Sequence, residues 1–68
     1  MTLDEAWAKA ARALRAKPGG SPYLQVTQDL MAWAVASGSN SRGHWSGEGD
    51  TPAEALLDLV ANLTGSPE

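Results

Sequence analysis

The sequence predicts a single α+β domain with the order α-β-β-β-α, in which two terminal helices pack on one face of a small antiparallel sheet. Three observations lead to this prediction. Each end of the chain carries a capped segment with helical periodicity, and the middle alternates large and small or polar residues. The length of 68 residues allows one domain, spanning residues 1–68. Because each helix has one apolar face, both need a sheet or a third helix to cover.

The first helix is predicted over residues 3–16. Thr2 and Glu5 have the Thr-x-x-Glu spacing of a capping box. A Pro-Gly-Gly sequence at 18–20 then ends the helix. The apolar stripe at helical spacing comprises Leu3, Trp7, Ala10 and Leu14.

The last helix is predicted over residues 52–63. Thr51 is the expected N-cap, a proline takes the first helical position, and Glu54 completes a second capping box. Gly65 is the expected C-terminal cap. The predicted buried face contains Leu56, Leu57, Val60 and Leu63, and the predicted solvent face contains Asp58 and Asn62.

The segment 23–37 allows two interpretations. As a strand pair, it alternates from Tyr23 onward, and further on large residues alternate with alanines. As a helix, it places Val26, Leu30 and Trp33 on one face. Alanine and methionine favour helix, whereas the Tyr/Val/Thr stretch favours strand. We prefer two strands, with a tight reversal near residues 28–30, because two one-faced helices need a sheet to pack against.

A third strand is predicted at residues 44–48. It follows a loop of glycine, serine, asparagine and arginine at 38–43. It would pair with the segment 31–37 as a hairpin with a loop of about five residues.

The composition narrows the classes of function. With no cysteine and one histidine, the chain has no disulfide and no thiolate ligand, and no carboxylates lie at zinc-ligand spacing around His44. We expect no metal, no cofactor and no enzymatic activity, since His44 is the only available base and no serine near it lies in a nucleophile-elbow motif. The net charge of −3 argues against nucleic acid as the main partner.

Location and assembly can be predicted on similar grounds. No apolar stretch approaches the roughly 20 residues that span a bilayer, and the N-terminal residues do not resemble a signal peptide. We therefore expect a cytoplasmic protein that does not enter membranes. A core of this size supplies only about 3–5 kcal/mol. Without disulfides or metal, self-association is the remaining source of stability, so we expect a homo-oligomer, dimeric or higher, with a marginal monomer as the alternative.

The best candidate patch for a ligand or partner lies in the 38–43 loop and the strand after it. Glycine and serine expose backbone N–H groups, Arg42 adds a forked donor, and His44 and Trp45 can stack on a nucleobase. The alternative is a solvated hairpin whose Trp45 packs under a helix. Trp7 and Trp33 are predicted to lie in the core. The candidate residues are Ser39, Asn40, Ser41, Arg42, His44 and Trp45.

The sequence also carries two family resemblances. Residues 43–56, Gly-His-Trp-Ser-Gly-Glu-Gly-Asp-Thr-Pro-Ala-Glu-Ala-Leu, resemble the closing segment of HicB-like antitoxins, where a strand leads into a Gly-Asp-Thr-Pro-Glu-Glu-Ala-Leu helix start. The whole layout is similar to small bacteriophage and prophage accessory proteins, which share a capped Ala-rich helix, a Trp-containing hairpin and a Gly-x-Thr-Pro-x-Glu-Ala-Leu helix start.

The phage resemblance implies a non-catalytic binding protein in the host cytoplasm that sequesters or inhibits a host factor, for instance in counter-defence. That factor would be a host protein or a small nucleotide or anionic ligand. The antitoxin resemblance, together with four basic residues on or beside the first helix, implies an antitoxin-like or RNA-binding-type module as the alternative. A virion assembly component is the second alternative.

Overall fold

A computed structural model describes residues 2–28 and 33–65 of the chain and confirms the predicted fold class. The elements are α1 (Leu3–Arg15), β1 (Tyr23–Gln28), β2 (Ala34–Asn40), β3 (Gly43–Gly49) and α2 (Pro52–Thr64). The strands form one antiparallel sheet in the order β1-β2-β3. The helical interpretation of the middle segment is therefore wrong over the two strands. The chain reversal that we predict near residues 28–30 lies, beyond Gln28, outside the described residues.

The first helix has the predicted cap but a different buried face. The Glu5 N–H donates to the Thr2 hydroxyl at 3.2 Å, and the Thr2 N–H donates to the Glu5 carboxylate at 3.2 Å, so the capping box is confirmed. The buried stripe consists of Ala6, Ala10 and Leu14, whereas Leu3 is 45% and Trp7 39% exposed. The two alanines let α1 pack closely against α2, which turns the larger Trp7 onto the flank.

The second helix keeps one of its two predicted cap bonds. The Glu54 N–H donates to the Thr51 hydroxyl at 3.2 Å. The Glu54 carboxylate accepts from the Asp50 N–H at 3.3 Å rather than from Thr51, so the second capping box does not form as predicted. Gly65 ends the helix with a φ of 69°, as expected. The buried residues are Ala55, Leu56, Leu59 and Leu63, and Leu57 and Val60 lie at the periphery of the core.

The hairpin between β2 and β3 is much tighter than the sequence predicts. Asn40 pairs with Gly43, which leaves only Ser41 and Arg42 in the turn. The Asn40 Oδ1 accepts hydrogen bonds from the N–H groups of Arg42 at 2.7 Å and Gly43 at 3.1 Å. The predicted five-residue loop is therefore wrong: residues 38–40 belong to β2, because sheet pairing outweighs their turn-like composition.

The sheet has one covered and one open face. Residues paired across antiparallel strands share a face, so the register defines three rows on each side. The covered face carries alanines and glycines beside the larger Leu24, Val26 and Trp45, and both helices pack on it. Its three rows contain Leu24, Val26, Gln28, Ala34, Ala36, Gly38, Trp45, Gly47 and Gly49, and the pair Asn40–Gly43 continues this face into the turn. The open face carries Tyr23, Gln25, Thr27, Val35, Ser37, Ser39, His44, Ser46 and Glu48.

The core is built from small and branched aliphatic residues alone. In the described ranges, all nine buried hydrophobic residues are alanine or leucine, and no polar or charged residue is buried. Trp33 is 54% exposed, so the prediction that Trp7 and Trp33 lie in the core is wrong. Since Ala34 and Ala36 face the helices, Val35 between them points the other way. Of the helices described, none has the length and apolar character needed to cross a membrane.

Candidate functional site

The open face of the sheet is a surface that the two helices leave uncovered. Its nine side chains are mostly hydroxyls and amides, with one aliphatic residue, one imidazole, one phenol and one carboxylate. The hydroxyl and amide groups donate and accept hydrogen bonds without carrying a charge, and Glu48 is the one carboxylate among the nine. The face is therefore suited to recognition by hydrogen bonding and stacking.

The end of this face nearest the β2–β3 turn combines two aromatic rings, a hydroxyl and a guanidinium. Tyr23, Ser39 and His44 are directly paired across the three strands and form one row. Cross-strand neighbours have Cβ atoms about 4.5–5.5 Å apart, so the three side chains can contact one ligand together. Tyr23 is 59% exposed, and Arg42 is exposed in the adjoining turn. We call these four residues the hairpin-end site.

The candidate patch predicted from sequence is divided among three places. Ser39 and His44 lie on the open face, and Arg42 lies in the turn beside it. Asn40 and Trp45 belong to the covered side of the sheet by register. The structure therefore brings three of the six candidates together. Ligand binding by any of them stays a prediction.

Asn40 and Ser41 have structural partners that the sequence did not indicate. The Asn40 Nδ2 donates to the Pro18 carbonyl at 3.4 Å. The Ser41 N–H donates to the Gly20 carbonyl at 2.8 Å, and the Ser41 hydroxyl accepts from the Gly20 N–H at 2.8 Å. These bonds tie the turn to the segment that follows α1, so both side chains hold the hairpin in place.

Trp45 packs under the helices, as predicted by the alternative interpretation of the hairpin. It is half-buried against the core, and the Lys17 Nζ lies 5.4 Å from the centre of its ring. A cation over an indole face is favourable by about 0.5–1 kcal/mol at exposed sites. Trp45 therefore has a role in packing, separate from the hairpin-end site.

Tyr23 is the member of the site that sequence reasoning missed. Its alternation with Leu24 shows that it shares a face with Gln25, but not which β2 and β3 residues lie beside it. That information comes from the register Tyr23–Ser39–His44. The one local signal that Tyr23 belongs to the site is its position at the start of a strand that pairs with the hairpin.

A second group of polar residues lines an acidic groove between β3 and α2. Glu48, Glu54 and Asp58 contribute its carboxylates. The Asp58 Oδ2 accepts from the Glu48 N–H at 3.0 Å, and Glu54 accepts from Asp50, so two of the three carboxylates already bind backbone donors. Within residues 2–28 and 33–65, no group of histidine, aspartate and glutamate has a metal-binding arrangement.

The fold and site define the chain as a two-layer α+β domain with one open, polar sheet face. Comparison with protein-family models, curated proteins and solved structures finds no match to the chain. The resemblances to bacteriophage accessory proteins and to HicB-like antitoxins therefore stay predictions.

Proposed function

We propose that this protein is a non-catalytic accessory binding protein, of the phage type that the sequence suggests, which sequesters a small aromatic anion such as a nucleotide. The hairpin-end site is the proposed contact. The observation that carries the proposal is the row formed by Tyr23, Ser39 and His44 on an uncovered face, beside the exposed Arg42.

Each group in this site matches one part of such a ligand. The rings of Tyr23 and His44 offer stacking surfaces, and stacking of a base on an aromatic side chain is favourable by about 1–3 kcal/mol. The Ser39 hydroxyl can donate to or accept from a base edge or a sugar. The Arg42 guanidinium presents a planar fork that fits a phosphate with two parallel hydrogen bonds.

The distribution of charge supports binding at this end of the face. Among the nine side chains of the open face, Glu48 is the only acidic one, and it lies four residues along β3 from His44. At about 3.4 Å per strand residue, that separation is about 14 Å. This distance exceeds the Debye length at physiological salt, so Glu48 does not repel a phosphate held by Arg42.

Calorimetric titration tests the proposal with adenosine monophosphate, adenosine and inorganic phosphate as separate probes. We expect Tyr23→Ala to weaken the monophosphate and the nucleoside by about tenfold or more. Tyr23→Phe should retain this binding, because it keeps the ring. Arg42→Ala should weaken the monophosphate and phosphate but leave the nucleoside unchanged. Thr27→Ala, at the opposite end of the same face, is the matched control.

Two results would overturn the proposal. One is the absence of measurable binding of all three probes, and of guanosine monophosphate, to the wild-type protein at millimolar concentration. The other is equal loss of binding in Thr27→Ala and Tyr23→Ala. If native mass measurement of protein purified from cells instead finds a retained polypeptide, a host protein replaces the nucleotide as the ligand.

Two features support the RNA-binding-type alternative: the α-β-β-β-α order, which double-stranded RNA-binding domains share, and the cations of α1. However, Lys17 lies over Trp45, and the first turn of α2 carries Glu54 and no cation. A titration against duplex RNA at two salt concentrations decides this alternative. A steep fall in affinity with salt would favour it, and no binding at low salt would exclude it.

A further inference from the structure

The two edges of the sheet differ in their exposure to a pairing strand. Along the outer edge of β3, the Glu48 N–H donates to the Asp58 Oδ2 at 3.0 Å, and the Ser46 carbonyl accepts from the Asn62 Nδ2. Both partners belong to α2. Side chains of the helix thus occupy backbone groups that an added strand would need, so the β3 edge is blocked.

The same bonds fix which backbone groups point outward from β1. The backbone N–H and C=O groups of Ser46 and Glu48 point away from β2. The alternation of an antiparallel ladder therefore directs the backbone groups of Trp45, Gly47 and Gly49 toward β2. In β2, the residues paired with these three direct their backbone N–H and C=O groups toward β3, and the residues between them direct theirs toward β1. Applied to the β1 register, this alternation leaves the N–H and C=O groups of Leu24, Val26 and Gln28 pointing outward.

The β1 edge has none of the usual protections against strand pairing. Its sequence, Tyr-Leu-Gln-Val-Thr-Gln, contains no charge, proline or glycine, and its register with β2 is continuous without a bulge. Natural sheet edges usually carry lysine, proline or a bulge to prevent association. An uncharged, regular edge of six residues is instead suited to pair with another strand.

An apolar surface of α1 lies beside this edge. A shallow groove of about 170 Å³ separates α1 from the start of β1. This volume is below the roughly 300–1,000 Å³ of small-molecule pockets, so a small ligand is a poor occupant. The exposed Leu3 and Trp7 extend the apolar surface along the helix. The groove is lined by Trp7, Ala11, Leu14, Arg15, Pro22 and Leu24.

We propose that a second copy of this chain pairs with β1 in antiparallel orientation, giving a symmetric dimer with a continuous six-stranded sheet. A two-fold axis at Val26 places Leu24 opposite Gln28 of the second copy, and the reverse. Three pairs of outward-facing residues then complete their backbone hydrogen bonds. No charged side chain meets its own copy along the strand, so the edge is complementary to itself.

The charges on α1 favour the same partner and orientation. Asp4, Ala8, Ala11 and Arg15 follow one another at i, i+4, i+7 and i+11, so they lie along one flank of the helix, and Arg15 lines the groove toward β1. Around the two-fold axis, the two α1 helices run antiparallel. Asp4 of each copy then lies near Arg15 of the other, and the small Ala8 and Ala11 at the centre allow the helices to approach closely.

The spacing of the two layers is compatible with this arrangement. The axes of packed helices lie about 8–10 Å apart, which is close to twice the spacing of about 4.8 Å between neighbouring strands. Asp58 and Asn62 place α2 at the outer edge of β3. Leu14 of α1 and Leu24 of β1 line the same groove, so α1 lies beside α2 on the β1 side of the sheet. Two copies of the chain can therefore pair their β1 strands and pack their α1 helices across the same two-fold axis. The dimer leaves the open face uncovered and is independent of the proposed nucleotide site.

Sedimentation equilibrium and native mass spectrometry of the full chain at micromolar concentration test the dimer. We expect the wild-type protein at twice its chain mass of 7.1 kDa. Replacing Gln25 and Thr27 by lysine together puts like charges opposite one another across the seam, and should weaken association at least about tenfold. Ser46→Lys, which lies on the same open face but on the blocked edge, is the matched control and should leave the dimer intact.

A charge exchange on α1 provides a second test that leaves the strands unchanged. Asp4→Arg alone and Arg15→Asp alone should each weaken the dimer, and the double variant D4R/R15D should restore it. A wild-type protein that stays monomeric at high micromolar concentration would overturn the inference. So would an assembly that responds neither to the lysine pair in β1 nor to the charge exchange. Nucleotide titration remains a separate readout, so either proposal can fail alone.

Discussion

Gly47 of β3 lies so close to Leu59 of α2 that a Cβ atom at position 47 would fall 2.7 Å from the Leu59 Cα. The same atom would lie 2.6 Å from the Ala55 carbonyl oxygen. Both neighbours are helix backbone, which cannot rotate away as a side chain can. The helix therefore rests directly on the strand backbone, and this contact sets the distance between the two layers.

Gly47→Ala should be among the most destabilising single changes in the chain. Because α2 must move off the sheet to admit the methyl group, we expect a loss of about 2–3 kcal/mol in the free energy of unfolding. This is most of the roughly 3–5 kcal/mol available to a core of this size. Urea unfolding followed by far-ultraviolet circular dichroism measures the loss.

Gly38→Ala is the matched control for this prediction. An added Cβ at Gly38 would contact only the side chains of Leu59 and Leu14, at the ordinary distances of 3.5 and 3.6 Å. We expect no loss, or a gain of about 0.4–1 kcal/mol from the stiffer unfolded chain. Equal destabilisation by the two alanines would show that close backbone contact at Gly47 is not the cause.

Asn40→Ala should destabilise the β2–β3 hairpin. The change removes the Oδ1 acceptor for two backbone N–H groups and the donor to Pro18, so we expect a loss of about 1–2 kcal/mol. Asn40→Asp retains the acceptor and should lose less than half as much. Thermal unfolding of the two variants checks the order, and a reversed order would contradict the proposed role of Oδ1.

Trp45 and Trp33 should respond differently to removal of their side chains. Trp45→Ala empties a half-buried site beneath Lys17, and we expect it to lower the free energy of unfolding by about 2 kcal/mol. Trp33→Ala removes a largely exposed ring and should change it by less than about 0.5 kcal/mol. Chemical denaturation of both variants makes the comparison, and a larger loss for Trp33 would contradict the observed packing.

The capping box of α1 should make stability depend on pH in the acid range. The backbone N–H of Thr2, and next its hydroxyl, bind the Glu5 carboxylate and hold the pKa of Glu5 below its ordinary value. Because the folded pKa is the lower one, the carboxylate stabilises the fold above the unfolded pKa of about 4.3. This contribution disappears as the pH falls through the folded pKa.

Glu5→Gln tests this dependence. The variant should be less stable than wild type at neutral pH, and the difference should shrink as the pH is lowered through the acid range. Urea unfolding at a series of pH values measures the difference directly. A constant difference across the range would show that the charge of Glu5 does not contribute to the cap.

Local chemistry explains how much of the fold the sequence could predict. Thr2, Thr51 and Gly65 form caps from bonds within one turn, so their roles can be read from residue spacing alone. The two helices and the order of the three strands follow from periodicity in the same way. The sequence also predicts three members of the hairpin-end site, since the side-chain chemistry of Ser39, Arg42 and His44 is visible without coordinates.

Only the tertiary structure decided which faces are covered and which residues meet. The close approach of α2 to Gly47 requires small residues beneath the helices, so Ala34 and Ala36 turn inward and Trp33 stays exposed. Pairing with β1 and β3 then extends β2 through residues that by themselves resemble a loop. Strand register joins residues far apart in the chain, such as Tyr23 and His44, and no local pattern specifies it, because its energy comes from contacts that form only when the layers pack.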